Sequence, residues 1–179
     1  MTKTFNIPKK EEVGPVNQAI FEVFEETLGF VPNLHAVLAH SENGLFRFLT
    51  YQNSETSLNG MEREAINLVV SQFNDSIYCL SSHMVLGKIK GFTEEEIVDI
   101  RKGRSGDIKI NTLVELTIEI LKNKGNVHES KTKAFFKQGY TKENLIDLML
   151  QISEKVVLNY LHNFTKVAVD YPLALTLEE

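Results

Sequence analysis

The sequence predicts an all-α protein, and three observations carry that prediction. Apolar residues recur at i, i+3, i+4 spacing through nearly every segment between breakers. Helix stops (Gly29, Gly91) and helix caps (Thr93, Thr141) fall at the ends of those segments. No hairpin dipeptide sits between alternating apolar and polar runs, so no sheet is expected. With 179 residues, the chain is long enough to bury a core and is expected to form one domain, 1–179.

Residues 1–14 read as an extended arm, punctuated by Pro8 and closed by Gly14. Pro15 suits a first helical turn, and Ile20, Phe21, Phe24 and Leu28 lie on one face of a helix over 15–28. A short helix follows Val31 and Pro32, carrying Leu34, Val37 and Leu38. The turn at 41–44 leads to a third helix over 45–56 (Leu45, Phe46, Phe48, Leu49). The fourth, 61–73, has Ile66, Val69, Val70 and Phe73 as its expected buried stripe, and the fifth, 76–90, ends at Gly91. Thr93 and Glu96 form a capping box for the sixth helix. The seventh covers 108–123 (Leu113, Leu116, Ile118, Leu121) and the eighth 129–138. Thr141 caps the longest, 142–168, whose apolar side reads as Leu145, Leu148, Met149, Ile152, Val156, Val157, Tyr160 and Leu161. Pro172 begins the tail. Residues 91–100 (GFTEEEIVDI) echo 139–148 (GYTKENLIDL), as a duplicated helical hairpin or convergent cap chemistry would.

Composition narrows the function classes. An apolar share of 42% and a charged share of 24% are those of a globular chain in water. The 19 basic and 24 acidic residues give a net charge of −5, and the basic residues do not cluster, which argues against nucleic acid. No apolar run is long enough for a membrane span, and the N-terminus lacks the apolar core of a signal peptide. A single cysteine excludes an intramolecular disulfide and fits a reducing compartment, so a cytoplasmic location is expected.

The chemistry concentrates in residues 64–83. If 76–90 is helical, Ser76, Cys79 and His83 share one face. Asn74 or Asp75 would cap that helix, placing Cys79 near its first turn, where backbone N–H groups and the helix dipole favour a thiolate. His83 could then accept the thiol proton. Each residue also has a plainer reading. A lone cysteine is most often a small buried hydrophobe, and His83 could be a satisfied core histidine. Glu64 could be a solvated residue of a first helical turn, and Ser76 a simple first-turn residue. His35, His40, His128 and His162 show no metal-ligand spacing, so no metal is expected. No glycine-rich phosphate loop is present, and Phe21, Phe24, Phe46, Phe48, Phe135 and Phe136 read as core or interface, so no cofactor is expected.

Glu64, Ser71, Asn74, Tyr78, Cys79, His83 and Gly91 resemble the signature of the alkylhydroperoxidase D / carboxymuconolactone decarboxylase family. That pattern is a glutamate, an S-x-x-N turn and C-x-x-C-x-x-x-H, and the resemblance covers about residues 30–170. It implies a compact multi-helix domain and a thiol-dependent peroxidase or oxidoreductase. By the resemblance Cys79 matches the second cysteine, with His83 and Glu64 as a proton relay. Ser76 stands at the first cysteine and could donate a hydrogen bond to the thiolate. The resemblance further implies a peroxide substrate, a thiol or lipoylated reductant, and a homo-oligomer (dimer, trimer or hexamer) with the C-terminal helix as a candidate interface. Because serine forms no disulfide, three mechanisms stay open. They are one-cysteine peroxidase chemistry, the two-cysteine cycle if position 76 is natively cysteine, and decarboxylase-like proton transfer on a carboxylated lactone. The last needs a cationic contact, for which Arg63 is the candidate. A helical interaction protein that kept the fold and lost the chemistry is the non-enzymatic alternative.

Overall fold

The computed structural model describes residues 5–177, and among them it is all-helical, as the periodicity predicts. Among the described residues nine α-helices follow a short 3-10 turn at Lys10–Glu12: α1 Pro15–Leu28, α2 Asn33–Leu38, α3 Gly44–Gln52, α4 Gly60–Phe73, α5 Ile77–Lys90, α6 Glu94–Arg101, α7 Ile108–Lys122, α8 Glu129–Lys137 and α9 Lys142–Thr165. The expected arm is irregular apart from that turn, and its first four residues lie outside those described.

α4 is the central element, packed against α5, α6, α7 and α9. Its middle is buried on all sides, from Glu64 to Ser71, so two apolar clusters form around it. One joins Ala65, Leu68 and Val69 to α5, α6 and α7; the other joins Ile66 and Val70 to α7, α8 and α9. The expected stripe holds for Ile66, Val69 and Val70, but Phe73 is half-exposed at the end of the helix. The turn after it is fixed by side chains from α9. Asn159 donates to Ser71 Oγ and accepts from Asn74 Nδ2, and Asn163 donates to the Asn74 carbonyl. Asp75 takes the left-handed conformation (φ 51°) that reverses the chain into α5.

The capping boxes at Thr93 and Thr141 are present, and each threonine hydroxyl accepts from the backbone N–H three residues on. The sequence echo is the same corner built twice: a left-handed glycine, a buried aromatic (Phe92, Tyr140) and a threonine cap. Beyond the corner the likeness ends, because α6 has 8 residues and α9 has 24. Thr141→Ala is expected to lower unfolding stability by about 1 kcal/mol, read by urea denaturation, because it orphans the Asn144 N–H at the start of α9.

α9 departs in part from the expected arrangement, although Leu148 and Ile152 are buried as predicted. Its buried face is rich in polar groups, with Gln151, Glu154, Lys155, Asn159 and His162 among Leu148, Ile152 and Leu158. Met149, Val157 and Tyr160, expected inside, are exposed. The chain after α9 folds back across α2 and α5: Asp170 Oδ2 accepts from the Asn33 N–H, and the Ala174 N–H donates to Ser81 Oγ.

Candidate active site

Side chains of α4, α5 and α9, together with residues of α1, α2 and α3, line a cavity of about 570 Å³. Cys79, His83, Glu64 and Arg63 line it, as expected residues; Lys155, Glu154 and His35 line it too. Ser76 does not.

Ser76, rather than Asn74 or Asp75, is the N-cap of α5. Asn74 closes α4 and spends its amide on Asn159, and Asp75 is left-handed, so Ser76 is the first residue extended enough to begin a helix. Cys79 is therefore the third residue of α5, among its unpaired backbone N–H groups, and only 1% exposed. The expected hydrogen bond from Ser76 to the cysteine is replaced by a contact of 3.5 Å with His162 Nδ1, away from the cavity.

Glu64 and His83 meet across the α4–α5 contact, with Glu64 Oε2 2.7 Å from His83 Nδ1, both side chains buried. Burial, and then the nearby Lys155 charge, push the His83 pKa below its ordinary value. Burial acts to raise the Glu64 carboxyl, but its contacts with His83, Lys155 and Asn67 hold it below the usual carboxylate range. Both directions describe one state, a carboxylate and a neutral imidazole. A carboxylate can only accept, so the ring proton sits on Nδ1 and the lone pair on Nε2. Nε2 bonds to none of the described residues. The pair is thus an oriented general base, while among the described residues Cys79 makes no hydrogen bond to His83.

A polar chain supports the pair. Asn67 Nδ2 donates to Glu64 Oε1 (3.4 Å), Gln151 Nε2 donates to Asn67 Oδ1 (2.9 Å) and to Glu154, and Arg63 Nε donates to Gln151 Oε1 (2.9 Å). Arg63 also bonds the Gln52 carbonyl, so two of its donors are already spent. The cation that sequence reasoning missed is Lys155, 1% exposed. Its signal was spacing: Leu148, Lys155 and His162 are seven apart, which places the lysine on the core side of α9.

Residues 40–108 match the model of the carboxymuconolactone decarboxylase family. No curated protein sequence matches the chain. Among solved structures, one described as an alkylhydroperoxidase AhpD core, a peroxidase-related protein from Ralstonia eutropha JMP134, is similar with a TM-score of 0.81 and 19% identity over 91% of this chain and 90% of that one. A peroxidase-related protein from Silicibacter sp. TM1040 has a TM-score of 0.82 and 20% identity over 93% and 91%. The debrominase Bmp8, in a variant complexed with 2,3,4-tribromopyrrole, has a TM-score of 0.76 and 13% identity over 95% and 92%. The chain has the fold of the alkylhydroperoxidase AhpD core, and its segment 40–108, which holds Glu64, Ser76, Cys79 and His83, matches the carboxymuconolactone decarboxylase family.

Proposed function

We propose that the protein is a thiol-dependent peroxidase in which Cys79 attacks the peroxide and His83, oriented by Glu64, carries the proton. The observation that supports this most is the shared cavity wall: a cysteine at a helix N-terminus beside a neutral histidine whose Nδ1–H is held by a buried carboxylate. His83 Nε2 takes the thiol proton as the sulfur attacks one peroxide oxygen. The O–O bond breaks, the departing alkoxide takes the proton, and Cys79 becomes a sulfenic acid. An external thiol, or a lipoylated partner, attacks that sulfur, releasing water and forming a mixed disulfide. A second thiol displaces it and restores Cys79. Serine at position 76 places both reducing equivalents outside the chain. Cys79 and His83 both line the cavity, so a peroxide bound there meets the nucleophile and the base together.

The test is chemical trapping. One equivalent of cumene hydroperoxide followed by dimedone is expected to label Cys79, as read by peptide mass, and prior addition of thiol is expected to remove the label. An unlabelled thiol that stays titratable after peroxide would sink the proposal.

The missing Cys79–His83 hydrogen bond favours a second reading, in which the complete Glu64–His83 pair performs decarboxylase-like proton transfer on a carboxylated lactone and Cys79 is only wall. There Cys79→Ala would leave turnover intact. Assembly into a homo-oligomer belongs to either reading. The exposed stripe Ile146, Leu150, Val157, Tyr160 and Phe164 on α9 supports it, with steps of three, four or seven residues that keep it on one face.

A further inference from the structure

Lys155 is buried in the wall of the cavity yet bonded to almost nothing. Its ammonium has three donors, makes no hydrogen bond to the described residues, and lies 3.5 Å from Glu154 Oε1. That carboxylate is already engaged: Gln52 Nε2 donates to Oε1 (2.9 Å) and Gln151 Nε2 to Oε2. A buried ammonium left this way is costly unless water or a ligand takes its protons. The charges around the cavity point to which. Arg63 and Lys155, with the exposed Lys90, stand against Glu64 and Glu154, and His35 and His83 are both held neutral by burial. One negative charge meets the unbonded Lys155 donors, whereas a second would face Glu64 and Glu154. Much of the remaining wall is apolar, including Phe24, Phe30, Leu58, Leu86 and Ile89, and its volume suits a ligand of many carbon atoms.

We infer that Lys155 anchors the carboxylate of an amphipathic monoanion whose apolar body fills this cavity. The ammonium contacts a carboxylate oxygen, the wall buries the chain, and Cys79 and His83 face the body of the ligand. This inference shares the cavity of the thiol peroxidase but none of its steps.

Isothermal titration with octanoate, 1-octanol and acetate, on reduced protein without peroxide, tests it. Octanoate is expected to bind at least about tenfold tighter than 1-octanol, the gain from a charge-assisted hydrogen bond, and acetate far more weakly than octanoate. In Lys155→Met the preference for octanoate over 1-octanol should vanish while 1-octanol still binds; in Lys155→Arg it should persist. The inference is overturned if octanoate binds no tighter than 1-octanol in the unaltered protein, if neither binds, if acetate matches octanoate, or if Lys155→Met keeps the preference. The unaltered protein alone decides it should Lys155→Met fail to fold. Loss of carboxylate binding leaves the sulfenic acid test standing, and an unoxidised Cys79 leaves this one standing.

Discussion

Cys79→Ser is expected to abolish thiol-dependent peroxide turnover, a fall of more than about 10³-fold, because a serine hydroxyl is not ionised near neutral pH and cannot cycle through a sulfenic acid. The fold should survive. Cys79 packs among Leu34, Val37 and Leu158, and oxygen for sulfur changes little volume there. Thermal melting within a few degrees of the unaltered protein would show that lost activity is lost chemistry. His83→Ala is expected to cost about 10²- to 10⁴-fold, the usual reach of a positioned general base. The double variant should be no slower than Cys79→Ser alone, since a base without its nucleophile has nothing to activate. Peroxide consumption by Cys79→Ser at the original rate would sink the thiol mechanism. Lactone turnover lost in His83→Ala and kept in Cys79→Ser would establish the proton-transfer reading instead.

Much of this arrangement is legible in the sequence because it depends on local rules. The glycine stops, the threonine caps and the apolar spacing act within a few residues, so the helices fall close to where the periodicity puts them. Cys79 and His83 could be paired on paper because one turn of helix separates them. Glu64 could be attached to them only through the family pattern, since its 2.7 Å contact with His83 depends on how α4 packs against α5. Lys155 shows the limit of composition-based reasoning. Hydrophobic spacing marks the core side of α9, but a reader assigns a lysine to solvent by default, and only tertiary packing turns it inward. Ser76 failed for a related reason. Helical spacing groups it with Cys79, but as the cap it lies where the chain turns, and its hydroxyl points to His162.

The same burial makes the protein acid-sensitive in a predictable window. Enclosure, and then Lys155, push the His35 pKa down to about 4 from an ordinary 6.5, so the folded chain refuses a proton that the unfolded chain accepts. The stability this group confers is complete above pH 6.5 and is lost as the pH falls toward about 4. Between pH 7 and 5 that single group is expected to cost about 2 kcal/mol of unfolding free energy. His83 and His162, also held below their ordinary values by burial, act in the same direction. Glu64, depressed from 4.5, extends the loss to lower pH, where its carboxylate finally takes a proton and its contact with His83 weakens. Urea denaturation at pH 7 and pH 5 should therefore give a drop of more than about 2 kcal/mol. His35→Leu should shrink that drop by about 2 kcal/mol whatever it does at pH 7, because the comparison isolates the proton the unfolded state gains. A drop unchanged in His35→Leu would mean that His35 is protonated alike in the folded and unfolded chains. The cavity wall that His35 shares with Lys155 would then carry one more positive charge at acid pH.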